Sequence, residues 1–181
     1  MFLLDLWLPI LLCGIALFIA SFVSWVILPH HFGDYKKLDD EDGMMEKVRS
    51  MNLPAGNYMF PQAESKQAMS SPEYAEKYKQ GPRGTLNVYD MPNMGVNLGK
   101  TLLFFLLTSA VIGYVTQQAC PNGSEFMKVF RVAGTIGILV HASSGMLNGI
   151  WFRTRLIMQF VDGIVYGLIL GLIFAALWPA A

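Results

Sequence analysis

Residues 129–180 read VFRVAGTIGILVHASSGMLNGIWFRTRLIMQFVDGIVYGLILGLIFAALWPA, two apolar runs joined by the basic turn Phe152-Arg153-Thr154-Arg155. The second run carries Gly163, Gly167 and Gly171 at every fourth position, and the first answers with Gly137, His141, Gly145 and Gly149 at the same spacing. On a helix, residues four apart stack on one face. In lipid, where the tails are as apolar as leucine, helices associate by close backbone approach, and stripes of small residues permit it. The pattern predicts a tight antiparallel helical hairpin packed through these glycines, with leucines such as Leu170 turned to lipid.

The rest of the chain extends that reading. Of 181 residues, 54% are hydrophobic and 14% charged, a membrane-protein balance. Four windows are long enough, at about 20 residues each, to cross roughly 30 Å of hydrocarbon: 6–28, 101–119, 132–151 and 157–177. The fold class expected is therefore all-α, with four transmembrane helices and a semi-extended cytoplasmic arm between the first two. The division is 1–28 for the first helix, 29–100 for the arm and 101–181 for a three-helix portion. The first window is read as an anchor, because its apolar run is too long for a signal peptide and no Lys or Arg precedes it. Formal charge is zero, with 13 basic and 13 acidic residues, and no basic patch points to nucleic acid. Cys13 in the first span and Cys120 at the end of the second are not expected to form a disulfide.

Charge sets the orientation. Asp5 precedes the first span, while His30, His31, Lys36 and Lys37 come after it, so the N- and C-termini are expected outside, in the periplasm. The 29–100 arm and the Arg153/Arg155 turn then face the cytoplasm. Within the arm, a short helix is expected over 44–51 behind the acidic run Asp39-Asp40-Glu41-Asp42, and another after Ser70 as N-cap. Tyr58-Met59-Phe60-Pro61 reads as extended, and 85–89 as a lone strand without a partner. About 70 residues with so few Leu, Ile and Val cannot bury a core of their own. Yet the seven methionines of 39–95 and their aromatic neighbours are too apolar for a plain linker, so the arm is expected to lie on lipid, on its own bundle or on a protein partner.

Two groups of residues carry candidate chemistry. His30, His31 and Asp34 offer two imidazoles and a carboxylate within five positions, donors that zinc or iron accept. Adjacent histidines point apart on a helix, and no third separated ligand set is evident. The favoured reading is hydrogen bonding at the headgroup interface, with no cofactor and the metal as the lesser alternative. The second group lies inside the hairpin. Helix rise puts His141 at mid-membrane and Asp162 about 9 Å from the cytoplasmic end, which predicts Asp162 beside Ser144 and within a turn of Asn148 and His141. Such a polar cluster works as a hydrogen-bonded clasp between helices or, in the competing reading, as half of a proton or ion path. Nucleophile elbows, phosphate loops and HExxH are absent, so no catalytic residue is assigned.

Leu28-Pro29-His30-His31 with Asp34, Leu38-Asp39-Asp40-Glu41-Asp42, Pro54-Ala55-Gly56-Asn57-Tyr58 with Phe60-Pro61, Gly81-Pro82 and Asp162-Gly163 together resemble a widespread group of small bacterial inner-membrane proteins without established activity. The resemblance implies a bacterial inner membrane and four spans, and lends no catalytic residue.

Three functional classes fit these residues. The first is a non-catalytic accessory or scaffold subunit of an inner-membrane assembly, in contact with lipid and holding a protein partner through residues 39–95. The second is a small proton, ion or solute transporter component using His141 and Asp162, as a homo-oligomer because four helices leave little room for a pathway. A metal-dependent membrane enzyme at His30, His31 and Asp34 comes last.

Overall fold

The computed structural model describes residues 2–181 and shows an all-α protein with four helices long and apolar enough to cross a membrane. Two compact units are distinguished: residues 36–93, and the remainder of the chain before and after them.

In the larger unit, α1 (Phe2–Phe22) runs on through a turn of π-helix, Val23–Ile27. Leu28 is extended, and Pro29 then opens a single 3-10 turn, Pro29–His31. Proline cannot donate to the ladder, so the helix stops here and the chain is redirected. After the arm come α5 (Met94–Ala119), α6 (Phe126–Ser143), α7 (Met146–Phe152) and α8 (Ile157–Ala176). The expected third span is thus two helices with a break at Ser144-Gly145, and the second begins seven residues earlier than expected. Arg153 ends α7 in the left-handed conformation and turns the chain into α8.

Each long helix has two principal neighbours: α6 packs on α8, α8 on α1, α1 on α5 and α5 on α6, closing a ring. Its interior is filled by side chains at heptad-like spacing, Leu6, Ile10, Cys13 and Leu17 from α1 against Phe105, Ile112, Val129, Leu170 and Phe174. Leu170 is fully buried, a correction to its expected place in lipid. It sits three residues after Gly167 and shares the inward face of α8. Cys13 and Cys120 are both free and buried.

The α6–α8 approach is close enough to exclude side chains. A Cβ at Gly163 would fall on the backbone of Ala142, and one at Gly167 would stand 2.5 Å from the Ile138 nitrogen and 2.8 Å from the Gly134 oxygen. A Cβ at Gly137 would stand 2.9 Å from the Cα of Gly167, and one at Gly171 2.9 Å from the Phe130 oxygen. Gly134, outside the expected stripe, therefore joins the crossing. Gly145 and Gly149 face the side chains of Gln159 and Leu156 instead of another backbone. At the opposite end of α8 the Trp178 indole donates to Pro121 O (3.1 Å) and the Gly123 amide to Pro179 O (2.8 Å), tying the tail to the α5–α6 loop.

The 36–93 unit contains α2 (Glu41–Ser50), β1 (Gly56–Phe60), α3 (Lys66–Met69), α4 (Pro72–Gln80) and β2 (Gly84–Val88). The strand expected to be alone has a partner: β1 and β2 pair antiparallel, Tyr58 opposite Leu86. Two helices intervene between them, so no hairpin turn signals the pairing in the sequence. The cap of α4 is Ser71, not Ser70, and its hydroxyl accepts from the Tyr74 amide at 3.1 Å. Asp40 caps α2, so Glu41 and Asp42 lie in its first turn.

Candidate metal centre

The redirected chain after α1 brings both histidines onto a carboxylate from the far end of the sequence. His31 Nε2 stands 3.0 Å from Asp162 Oδ2, and His30 Nε2 3.4 Å from Asp162 Oδ1. Ser24 Oγ donates to Asp162 Oδ2 at 2.5 Å and lies 3.1 Å from His30 Nε2. Behind His31, its Nδ1 meets Asp34 Oδ2 at 2.7 Å. One ligand atom from each of His30, His31 and Asp162 falls within 4.8 Å of the others, a set able to hold a metal ion. Ser24, His31 and Asp162 are buried, and His30 is half-buried.

Local backbone explains the convergence. On an α-helix, neighbouring residues are about 100° apart, which is why adjacent histidines are expected to diverge. Here they occupy a 3-10 turn after an extended residue, and their rings lie 4.4 Å apart, tilted by 43°. Trp25, in the π-helical turn, stacks flat on His31 at 3.8 Å and 3°. Insertions of π geometry in α-helices recur at functional sites. Arg155 borders the turn: a Cβ on Gly33 would stand 3.2 Å from its guanidinium nitrogen.

Asp162 reaches α1 because its neighbour Gly163 faces α6, and one residue of rotation on α8 turns the carboxylate to the next helix of the ring. This corrects the expected cluster of His141, Ser144, Asn148 and Asp162. Ser144 Oγ donates to His141 O of its own helix (3.1 Å), and Asn148 is exposed. His141 is buried among rings: Tyr166 at 5.7 Å and 86°, Phe105 at 5.8 Å and Phe104 at 6.1 Å. Tyr166, one turn beyond Asp162 on α8, stands between the carboxylate and His141.

Electrostatics favour charge on the boundary ring. Burial alone would push the His31 imidazole down, but hydrogen bonds to Asp34 and Asp162, reinforced by their negative charge, outweigh it and hold its pKa above the ordinary value. With both ring nitrogens facing carboxylates, the protonated ring donates to both. The same atoms suit a cation of higher charge: Asp162 and the two Nε2 atoms facing it, with Asp34 fixing the orientation of His31 from behind.

Of the candidate metal residues read from sequence, His30 and His31 are in the set and Asp34 supports it. Asp162 is the member of the set that sequence reasoning assigned to the other cluster, although its expected depth is near the same membrane end as the histidines. Ser24 and Trp25 carry no sequence signal beyond small-residue spacing and an interfacial ring. Comparisons of the chain with protein-family models, with curated proteins and with solved structures return no match.

Proposed function

We propose that the chain is a membrane-embedded metalloprotein that holds one divalent first-row transition ion, zinc or iron(II), at the membrane boundary through His30, His31 and Asp162. The observation that carries this is the convergence of three ligand atoms within 4.8 Å from segments more than 130 residues apart. Two imidazoles and a carboxylate are the donor set of non-haem iron(II) sites, and three protein ligands are the number found in catalytic zinc sites. Such a centre leaves a coordination position for water or a substrate atom, which makes a metal-dependent membrane enzyme the class best supported. The resemblance to small bacterial inner-membrane proteins supports that membrane as its location. Lys36, Lys37, Arg153 and Arg155 near this end support a cytoplasmic position for the centre.

The test is metal analysis of protein purified in mild detergent without chelator. About one equivalent of zinc or iron per chain is expected in the wild type, and its loss in the His30→Ala/His31→Ala variant. Wild-type protein that carries no metal, and takes up neither zinc nor iron(II) on titration, would overturn the reading in favour of a hydrogen-bonded latch built from the same atoms.

A second reading, an accessory subunit gripping a protein partner through residues 39–95, is favoured by one observation. Helices α2, α3 and α4 bury no residue, and Met44, Met45, Met51, Met69 and Tyr78 are exposed. An arm protected from protease in native membranes and cleaved after purification supports it; cleavage in both removes it.

A further inference from the structure

His30 is the open member of the metal set. Its side chain is 23% exposed, against 4% for His31 and 11% for Asp162. Trp25 covers His31 with its flat stack, and the buried Ser24 covers one oxygen of Asp162. The opening at His30 is flanked by apolar surface: Val26, Ile27 and Leu28 before it are exposed, and Phe32 after it is 92% exposed. The apolar span of α1 runs to Ile27, so in a bilayer this surface meets acyl chains on one side and headgroups on the other.

Charge is the second observation. Arg155 comes from the turn between α7 and α8, and its Nη1 would stand 3.2 Å from a Cβ on Gly33, three residues after His30 and next to Asp34. The missing side chain at Gly33 lets the guanidinium lie against the histidine turn. Arg155 is exposed and forms no ion pair among the described residues. A divalent ion at the centre is balanced by the carboxylates of Asp34 and Asp162, which leaves the guanidinium as surplus positive charge beside the opening. An anion completes this balance. The fork of N–H donors on arginine matches phosphate oxygens, and lipid phosphates lie at the depth where an apolar span ends.

We propose that the centre takes its ligand from the bilayer, and that this ligand is a lipid with a phosphate head. Its acyl chains lie along Val26, Ile27 and Leu28, Arg155 holds the phosphate, and a head-group oxygen enters at His30 toward the coordination position that three protein ligands leave free. The lipid site rests on the metal reading of the same residues. Arg155 selects an anionic head over a neutral one, and the apolar surface selects a lipid over free phosphate. Nothing inside the bundle has to open, because the ligand approaches from the lipid side. An Arg155 that only snorkelled to bulk headgroups would leave the surroundings of the metal unchanged. A head held at His30 alters them, and that difference is measurable.

The experiment uses the full chain in mild nonionic detergent, loaded with cobalt(II) and freed of excess ion. Cobalt(II) takes the same nitrogen and oxygen donors as zinc and iron(II), and its visible absorption shifts when a ligand enters its coordination shell. Three probes are titrated: dioleoyl phosphatidic acid, inorganic phosphate, and dioleoylglycerol, which has the same chains without the phosphate. Phosphatidic acid is expected to shift the spectrum to saturation at an affinity at least tenfold above that of inorganic phosphate, and dioleoylglycerol to leave it unchanged. Arg155→Gln is expected to weaken the phosphatidic acid response at least tenfold without loss of cobalt affinity. Arg131→Gln, an exposed arginine near the start of α6 at the other end of the bundle, is expected to match wild type. A cobalt-loaded centre that ignores phosphatidic acid, responds equally to inorganic phosphate or dioleoylglycerol, or responds unchanged in Arg155→Gln overturns the lipid site and leaves the metal standing. A chain that takes up no cobalt overturns both.

Discussion

His31 and Asp162 join the end of the first membrane helix to the start of the last through a 3.0 Å contact between buried side chains. The partners are 131 positions apart in sequence. This contact fixes where the chain must pass after α1, and the groups around it respond to substitution and to pH in ways that can be measured.

Ser24→Ala removes the hydroxyl that donates to Asp162 and leaves a buried carboxylate oxygen with one donor fewer. An unmade hydrogen bond of this kind costs about 1–3 kcal/mol, so the variant should unfold at lower temperature in detergent. An unchanged midpoint would mean that the hydroxyl contributes nothing to holding α1 on α8.

Asp34→Asn keeps the shape behind His31 while deleting the charge that orients and polarises the ring. Partners of this type typically change metal affinity about 10–100-fold. The expected result is weaker binding with stoichiometry still near one at saturating metal, read by competition with a chromophoric chelator. Equal affinity in variant and wild type would place Asp34 outside the metal's influence.

Protons should compete with the metal at His31. In the metal-free protein its imidazole is held above its ordinary value of about 6.5, so it still carries a proton at a pH where a free imidazole has lost it. Raising the pH through that elevated value frees Nε2 for the ion and strengthens binding; lowering it weakens binding. Titrations between about pH 6 and 8.5 should therefore show affinity rising with pH. Affinity independent of pH in this range would contradict a histidine ligand.

Gly167→Leu should drive α6 and α8 apart, since even a Cβ there meets the Ile138 nitrogen at 2.5 Å. Overpacking costs about 1–3 kcal/mol or more. Leu172→Ala, on an exposed position of the same helix, should cost less than about 0.5 kcal/mol. Equal thermal stability of the two would refute the backbone crossing.

The helices were legible because hydropathy and four-residue spacing report directly on burial in lipid, and Gly163, Gly167 and Gly171 indeed all meet the backbone of α6. Rotation about a helix axis was not. Sequence spacing places Asp162 at the right depth but does not say which neighbour it faces, and one position of rotation moved it from His141 to His31. The 3-10 turn at Pro29–His31 was equally hidden, since Pro29 marks a helix end without fixing the conformation of the residues after it. The β1–β2 pair escaped because helices α3 and α4 separate its strands. These misses concern tertiary partners and backbone geometry beyond a helix end, which local pattern does not encode.

The 36–93 unit leaves the bundle after Tyr35 and returns at Met94, and every residue of the candidate metal centre lies outside it. The bundle's interior is thus built by two separate stretches of chain, which meet along α1–α5 and α1–α8 and are pinned by Ser24 and His31 on Asp162. A single cut in the insertion would convert the protein into two membrane fragments, one carrying α1 with both histidines and the other carrying the carboxylate. Co-expressed halves should then find each other in the bilayer, and the bound metal would report their reunion.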